Sequence, residues 1–379
     1  MSERRPRQAF GLAAAALAGL ASGLSAQGSD ALYTRFNALS GWEVRGYAFD
    51  PGIGTKSVSQ WNVPFVAVAP LGRKMSVDLT TFFVSGRVET YAGTTETLSG
   101  MTDTQLRLLY TMSRDRLVGS VSFNLPTGAR AASTSQYQVA GAVGSSYLSF
   151  PASNAGTALG VTGGLAYAQR AGAWNTGLSG SVRYLGSYTP FANDPLSYRP
   201  GIEARVRAGA ERLLGRQARL LVGATVSTFS TDTYGGSTSL ASGSYAPGTR
   251  FIGEFAFVRV IGRSTLTLAA WDFYRLAGDT SGFSNPDTKE NVLNGELRLT
   301  YPIAPRFRVE PLVAYRQWNP SDYLGGRLTS GGVRMQAALT ERLSAAVAGR
   351  YDAGWIYDRS SGRATVQGYG VSLWVRFER

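Results

Sequence analysis

The sequence predicts an all-β fold, an antiparallel up-and-down barrel of about sixteen strands that crosses a membrane. Three observations predict it. Apolar and polar residues alternate with a period of two through most of the chain after residue 40. Short connections alternate with long ones rich in Gly, Ser, Thr, Asn and Asp. The chain has 379 residues and is 44% hydrophobic, but its mean hydropathy of -0.09 is too polar for a bundle of membrane helices.

Residues 1–26 read as a secretory signal. Arg4, Arg5 and Arg7 form a basic start, Phe10 to Leu20 a short apolar stretch, and small residues allow cleavage after Ala26 or after Gly23. Loss of its three Arg and one Glu lowers the formal charge from +13 to about +11. Residues 27–41 read as a short periplasmic segment and 42–379 as the barrel.

The predicted strands, in order, are 42–49, 59–69, 74–90, 102–113, 116–126, 159–169, 173–185, 200–210, 217–229, 249–261, 264–275, 291–301, 306–318, 328–339, 342–353 and 366–377. Val121, Phe123 and Leu125 alternate with Ser120, Ser122 and Asn124. Ile202, Ala204, Val206 and Ala208 alternate with Glu203, Arg205 and Arg207. Leu297, Leu299 and Tyr301 alternate with Glu296, Arg298 and Thr300. Four segments fit less well. Phe251, Phe255 and Phe257 share a face with Arg259, which can snorkel to an interface. In 264–275 the apolar face switches between Leu268 and Trp271, which predicts a bulge. Pro64 and Pro311 remove ladder donors. A count of fourteen therefore stays open.

Within a bilayer every backbone N–H and C=O needs an internal partner, and segments this polar meet that need only in a closed barrel. Closure requires the last strand to pair with the first, Trp42–Phe49. Short turns such as APLGRK, IGRS and TERL then face the periplasm. The long loops 50–58, 91–101, 127–158, 186–199, 230–248, 276–290, 319–327 and 354–365 face outside, which predicts the bacterial outer membrane. Trp42, Trp174, Tyr301, Phe307 and Phe377 cluster at the inner ends, and Tyr91, Tyr184, Phe251, Tyr315 and Tyr351 at the outer ends, as two aromatic girdles.

Two stretches carry resemblances. Tyr369, Val371, Leu373, Val375 and Phe377 resemble the C-terminal assembly-signal strand of Gram-negative outer-membrane proteins, although Glu378 and Arg379 follow the aromatic. This resemblance implies a porin-like barrel inserted by the barrel assembly machinery. The stretch FNLPTG, Phe123–Gly128, is similar to a Pro-Thr-Gly motif in barrels associated with aromatic-compound degradation, including phenol meta-pathways; turn chemistry alone also explains it.

With the apolar face to lipid, the inward residues include Arg107, Arg183, Glu203, Arg205, Arg207, Glu254, Glu296, Arg298, Arg308, Glu310, Arg316, Arg334, Arg350, Asp352 and Arg376. Arg107, Glu203, Arg205, Arg207, Glu296 and Arg334 fall nearest mid-membrane and are the constriction candidates. A basic wall favours anions; the same charges also serve as structural ladders. In porins of this size the third long loop folds inward. Here that loop, Thr127–Ala158, offers Arg130, Tyr137, Tyr147 and Phe150 and no acid. Inward-folded aromatics opposite arginines suit planar or anionic solutes.

The expected function is a porin-like channel for passive uptake or efflux of small anionic or aromatic solutes. The alternative is a non-conducting structural or binding barrel. With no His and no Cys, the chain lacks the commonest general base, thiol chemistry and the commonest metal ligands, so neither enzyme, metal site nor cofactor is expected. The arginines are dispersed and form no nucleic-acid stripe. Expected partners are outer-membrane lipid and lipopolysaccharide, the assembly machinery and small solutes; a homo-oligomer stays open.

Overall fold

The computed structural model describes residues 35–112, 116–129, 134–152, 156–237, 241–279, 289–319, 324–358 and 362–379. The signal residues 1–26 lie outside the described residues. The wall strands are β1 (Asn37–Phe49), β2 (Thr55–Pro70), β3 (Met75–Thr90), β4 (Thr95–Met101 continued by Thr104–Thr111), β5 (Leu117–Leu125), β6 (Gly160–Ala171), β7 (Trp174–Leu185) and β8 (Glu203–Leu214). They continue as β9 (Ala218–Phe229), β10 (Arg250–Ile261), β11 (Ser264–Arg275), β12 (Glu290–Ala304), β13 (Phe307–Asn319), β14 (Leu324–Ala338), β15 (Leu343–Asp358) and β16 (Gly362–Glu378). Both parts of β4 pair with β3, so the wall has sixteen strands and the count of fourteen is set aside.

Every wall strand is antiparallel to its neighbours in chain order, and β16 returns to β1. Ala38 lies opposite Phe377, Trp42 opposite Leu373 and Tyr47 opposite Gly368. The terminal strand therefore has no open edge. Leu373, Val206, Val182, Leu165 and Val313 are exposed on the outer face. No helix of the described residues is long and apolar enough to cross a membrane. An outward apolar belt on a closed, fully paired sheet is the arrangement that satisfies a bilayer.

The wall is lopsided. Strands β5 to β11 have 9 to 12 residues, which is about what a tilted strand needs to cross the apolar layer. Strands β12 to β16 and β1 to β3 have 13 to 17. Of the expected long loops, 91–101 is mostly strand, the described residues of 319–327 and 354–365 are strand, and 50–58 becomes strand from Thr55. Their polar and glycine content marks wall that rises above the apolar layer on one side. β1 also begins at Asn37, ahead of the expected Trp42.

The bulge expected in 264–275 is absent: β11 keeps an unbroken register with β10 and β12. Leu268 and Tyr274 face out, while Trp271 and Phe273 face in and pack on an apolar cluster inside the barrel. The face never switches; its inner side becomes apolar. Register shifts occur instead at Thr55/Ser57 and Pro302/Ala304. Pro64 and Pro311 hold ordinary register positions opposite Phe82 and Val333.

Above the short side of the wall, loops after β7 and β9 join through short strands Ser197–Arg199, Asp232–Gly235 and Gly243–Tyr245. Asp232 fastens this small sheet by accepting from Gly201 N at 2.6 Å and from the Tyr198 hydroxyl.

Candidate functional site

The loop between β5 and β6 enters the barrel. Its helix α1 (Thr134–Val143) lies against β2, β3 and β4. Val139, Ala140 and Val143 are buried on that side, while Gln138, Gly141 and Gly144 on the other remain exposed. Tyr147, Leu148 and Phe150 then cross to the opposite part of the tall wall. They pack with inward residues near the outer ends of its strands: Tyr47, Phe49, Val58, Val292, Trp318, Leu328 and Val366. The Tyr147 ring stacks on Trp318 with centroids 5.1 Å apart, and the Phe150 ring meets Tyr47 edge-on at 5.4 Å.

Residues 147–152 lack regular secondary structure, so their carbonyls need donors from elsewhere. The wall supplies them. Arg316 Nη1 donates to Tyr147 O at 2.8 Å, the Tyr47 hydroxyl to Leu148 O at 2.8 Å, and Gln60 Nε2 to Ala152 O at 2.6 Å. Arg45 Nη1 donates to Ser149 O, where φ is 54°, in the left-handed region. Tyr147 returns a bond from its hydroxyl to Trp355 O at 2.9 Å. Burial pushes the Tyr147 phenol up from its ordinary range, with Arg316 pulling the other way.

Asp103 holds the neck of the loop. It sits at the interruption in β4, where both carboxylate oxygens serve as acceptors. Oδ1 accepts from Gly128 N at 2.9 Å; Oδ2 accepts from Thr157 N at 2.8 Å, from Asn124 Nδ2 at 2.9 Å and from the Thr157 hydroxyl. Thr127 Oγ1 donates to Thr102 O at 2.9 Å. The Pro-Thr-Gly stretch is therefore the first half of this neck.

The constriction candidates fall on three separate patches. Arg107 pairs with Asp78 on β3–β4. Glu203 begins β8 at the outer end of the short wall, rather than near mid-membrane, because its neighbours end there. It receives Arg205 at 2.6 Å and Arg183 at 3.7 Å, while Arg207 pairs with Glu254 at 2.5 Å. On the tall wall Glu296 pairs with Arg298, which also meets Glu310 at 3.3 Å, and Arg334 lies directly opposite Glu310. The arginine excess is thus largely matched locally.

Tyr147 and Phe150 do enter the lumen, but their rings are buried in packing; Tyr147 is 0% exposed. They do not face arginines across an open channel, because Tyr47, Val292, Trp318 and Val366 of the tall wall pack around the rings while its arginines bond the loop's carbonyls. Arg130 lies outside the described residues, as does the side chain of Tyr137. Sequence reasoning missed Asp103, Arg45, Tyr47 and Gln60, and placed Arg316 inside the barrel without its bond to the loop. Asp103 left one signal, Thr102-Asp103-Thr104 interrupting an alternating strand.

A closed barrel with an apolar exterior, a charged interior and an inward loop defines a porin-like β-barrel of the bacterial outer membrane. No protein-family model matches the chain, and no curated protein matches its sequence. Solved structures resemble it in architecture. A monoaromatic hydrocarbon channel, CymD, is 8% identical with a TM-score of 0.46, the match covering 99% of this chain and 95% of that one. An anion-selective porin from Comamonas acidovorans is 11% identical with a TM-score of 0.40, covering 91% and 98%. A FadL homologue from Pseudomonas aeruginosa is 10% identical with a TM-score of 0.45, covering 91% and 90%.

Proposed function

We propose that the protein is a narrow outer-membrane channel for small solutes, with a modest preference for anions. The inward loop occupies the side of the lumen under the tall wall. The water path follows the short wall, past β7 and β8. One observation carries this reading: Arg183 and Arg205 share the single carboxylate of Glu203, with side chains 40% and 51% exposed. Arg298, held between two carboxylates on the tall wall, is 13% exposed. Two cations on one acid leave a local positive charge where water reaches it, and such charge on a pore wall favours anions.

An affinity for aromatic solutes loses its basis in the loop, because the Tyr147 and Phe150 rings are already packed. The same packing, with the small sheet above the short wall, favours a second reading, a barrel that does not conduct.

Conductance of the refolded protein in planar bilayers separates the two. Ohmic steps with a reversal potential on the anion side support the channel, and Arg183→Gln with Arg205→Gln brings that potential toward zero. A silent membrane supports the second reading. Steps whose selectivity is unchanged in the double variant contradict the role given to this pair.

A further inference from the structure

Most charged side chains inside the barrel are matched to a partner of opposite sign. A different arrangement stands on its outer face. Trp355 on β15 points outward, since it lies opposite Arg327 on β14 and two residues along from exposed Tyr357. The Arg327 guanidinium lies over its ring at 5.7 Å, and that of Arg363 on β16 at 4.6 Å. Both arginines are exposed. Among the described residues neither meets a carboxylate within ion-pair distance. The Trp355 indole N–H is itself buried and has no acceptor among them. Two guanidinium groups therefore flank one outward ring with no carboxylate beside them among the described residues.

Height decides what that anion is. Trp355 follows Leu343, the first residue of β15, by twelve positions. At about 3.3 Å per residue and a tilt near ~40°, it lies roughly 30 Å above the periplasmic end. The apolar band of such barrels is about 25 Å tall. The ring thus stands just above the band, at the level of outer-leaflet headgroups, with Tyr351 two pleat repeats below it on the same face. A solute in the lumen does not reach this face.

We propose that Arg327, Trp355 and Arg363 form a site for the phosphate of an outer-leaflet glycolipid. Guanidinium groups bind phosphate oxygens through paired, charge-assisted hydrogen bonds. The tryptophan holds the two cations in place by cation–π contact and gives an apolar floor to the first carbons of the lipid. The site depends on membrane insertion and not on conduction.

The test is retention of lipid A bisphosphate by the refolded barrel in detergent, read by native mass spectrometry. Dephosphorylated lipid A and inorganic phosphate are the comparison ligands. The site predicts that the bisphosphate is retained at least tenfold more strongly than the dephosphorylated lipid. Inorganic phosphate at equal concentration does not displace it. The variant Arg327→Gln with Arg363→Gln loses the difference while keeping its heat-modifiable gel migration. Equal retention of both lipids by the unaltered protein overturns the proposal, and needs no variant to fold. Displacement by inorganic phosphate overturns it too, since that marks a simple anion site. So does a folded double variant that binds as tightly as the parent.

Discussion

Asp103 on the interrupted strand β4 accepts from the backbone N–H of Thr157, at the far end of the inward loop. The same carboxylate accepts from Gly128 at the near end. One side chain thus ties both ends of the loop to the wall. Hydrogen bonds to a charged acceptor contribute about 1.5–3 kcal/mol each, so Asp103→Asn loosens the neck by roughly 2–3 kcal/mol. In a conducting barrel, single-channel traces of this variant show larger and noisier steps than the parent, with unchanged barrel circular dichroism.

The neck also needs two small residues. A Cβ at Gly128 would stand 2.3 Å from the Gly156 Cα, a distance that real side chains do not adopt. Gly128→Val therefore forces the two chains apart although the turn tolerates its dihedrals. Limited proteolysis within the loop becomes faster, while the wall stays resistant and migrates as a folded barrel on unheated gels.

Tyr147 separates hydrogen bonding from packing. Tyr147→Phe keeps the stack on Trp318 and loses the bond to Trp355 O, a cost of about 1 kcal/mol. Tyr147→Ala removes the ring and leaves a cavity, a cost of about 3–5 kcal/mol. Chemical unfolding ranks the alanine variant well below the phenylalanine variant, and only the former changes conductance.

The phenol also gives a pH test. Burial raises its pKa in the folded protein, so its contribution to stability is complete below the ordinary tyrosine range. That contribution declines as pH rises past about 10, where the unfolded phenol ionises first. The stability gap between the parent and Tyr147→Phe narrows in that direction. A gap that widens at alkaline pH contradicts the burial assigned to this ring.

The strands were legible because lipid outside and water inside write a period of two. Ser120–Leu125, Ile202–Ala208 and the terminal strand all show it. The inner half of the tall wall was not legible, because Tyr47, Val292, Trp318 and Val366 face protein rather than water. There both faces are apolar, and the pattern that separates lipid from lumen vanishes. Trp271 and Phe273 imitated a bulge for that reason. The loop's entry was implied by the resemblance to porins, whose third long loop folds inward; the donors that hold it, Arg45, Tyr47, Gln60 and Arg316, come from strands far away in sequence. Glu203 was misjudged in depth because strand ends are set by pairing partners. Alternation along one strand does not report where those partners stop.

The chain contains no cysteine, so a single introduced thiol reports on its own position. Arg205→Cys places one on the exposed short wall, and Ser330→Cys places one on the tall wall, where the parent side chain is 3% exposed. Each variant is treated with a charged methanethiosulfonate reagent during bilayer recording. A water path along the short wall predicts a stepwise fall in current for the position 205 variant and no change for the position 330 variant. The reverse order, with current falling only through position 330, contradicts it.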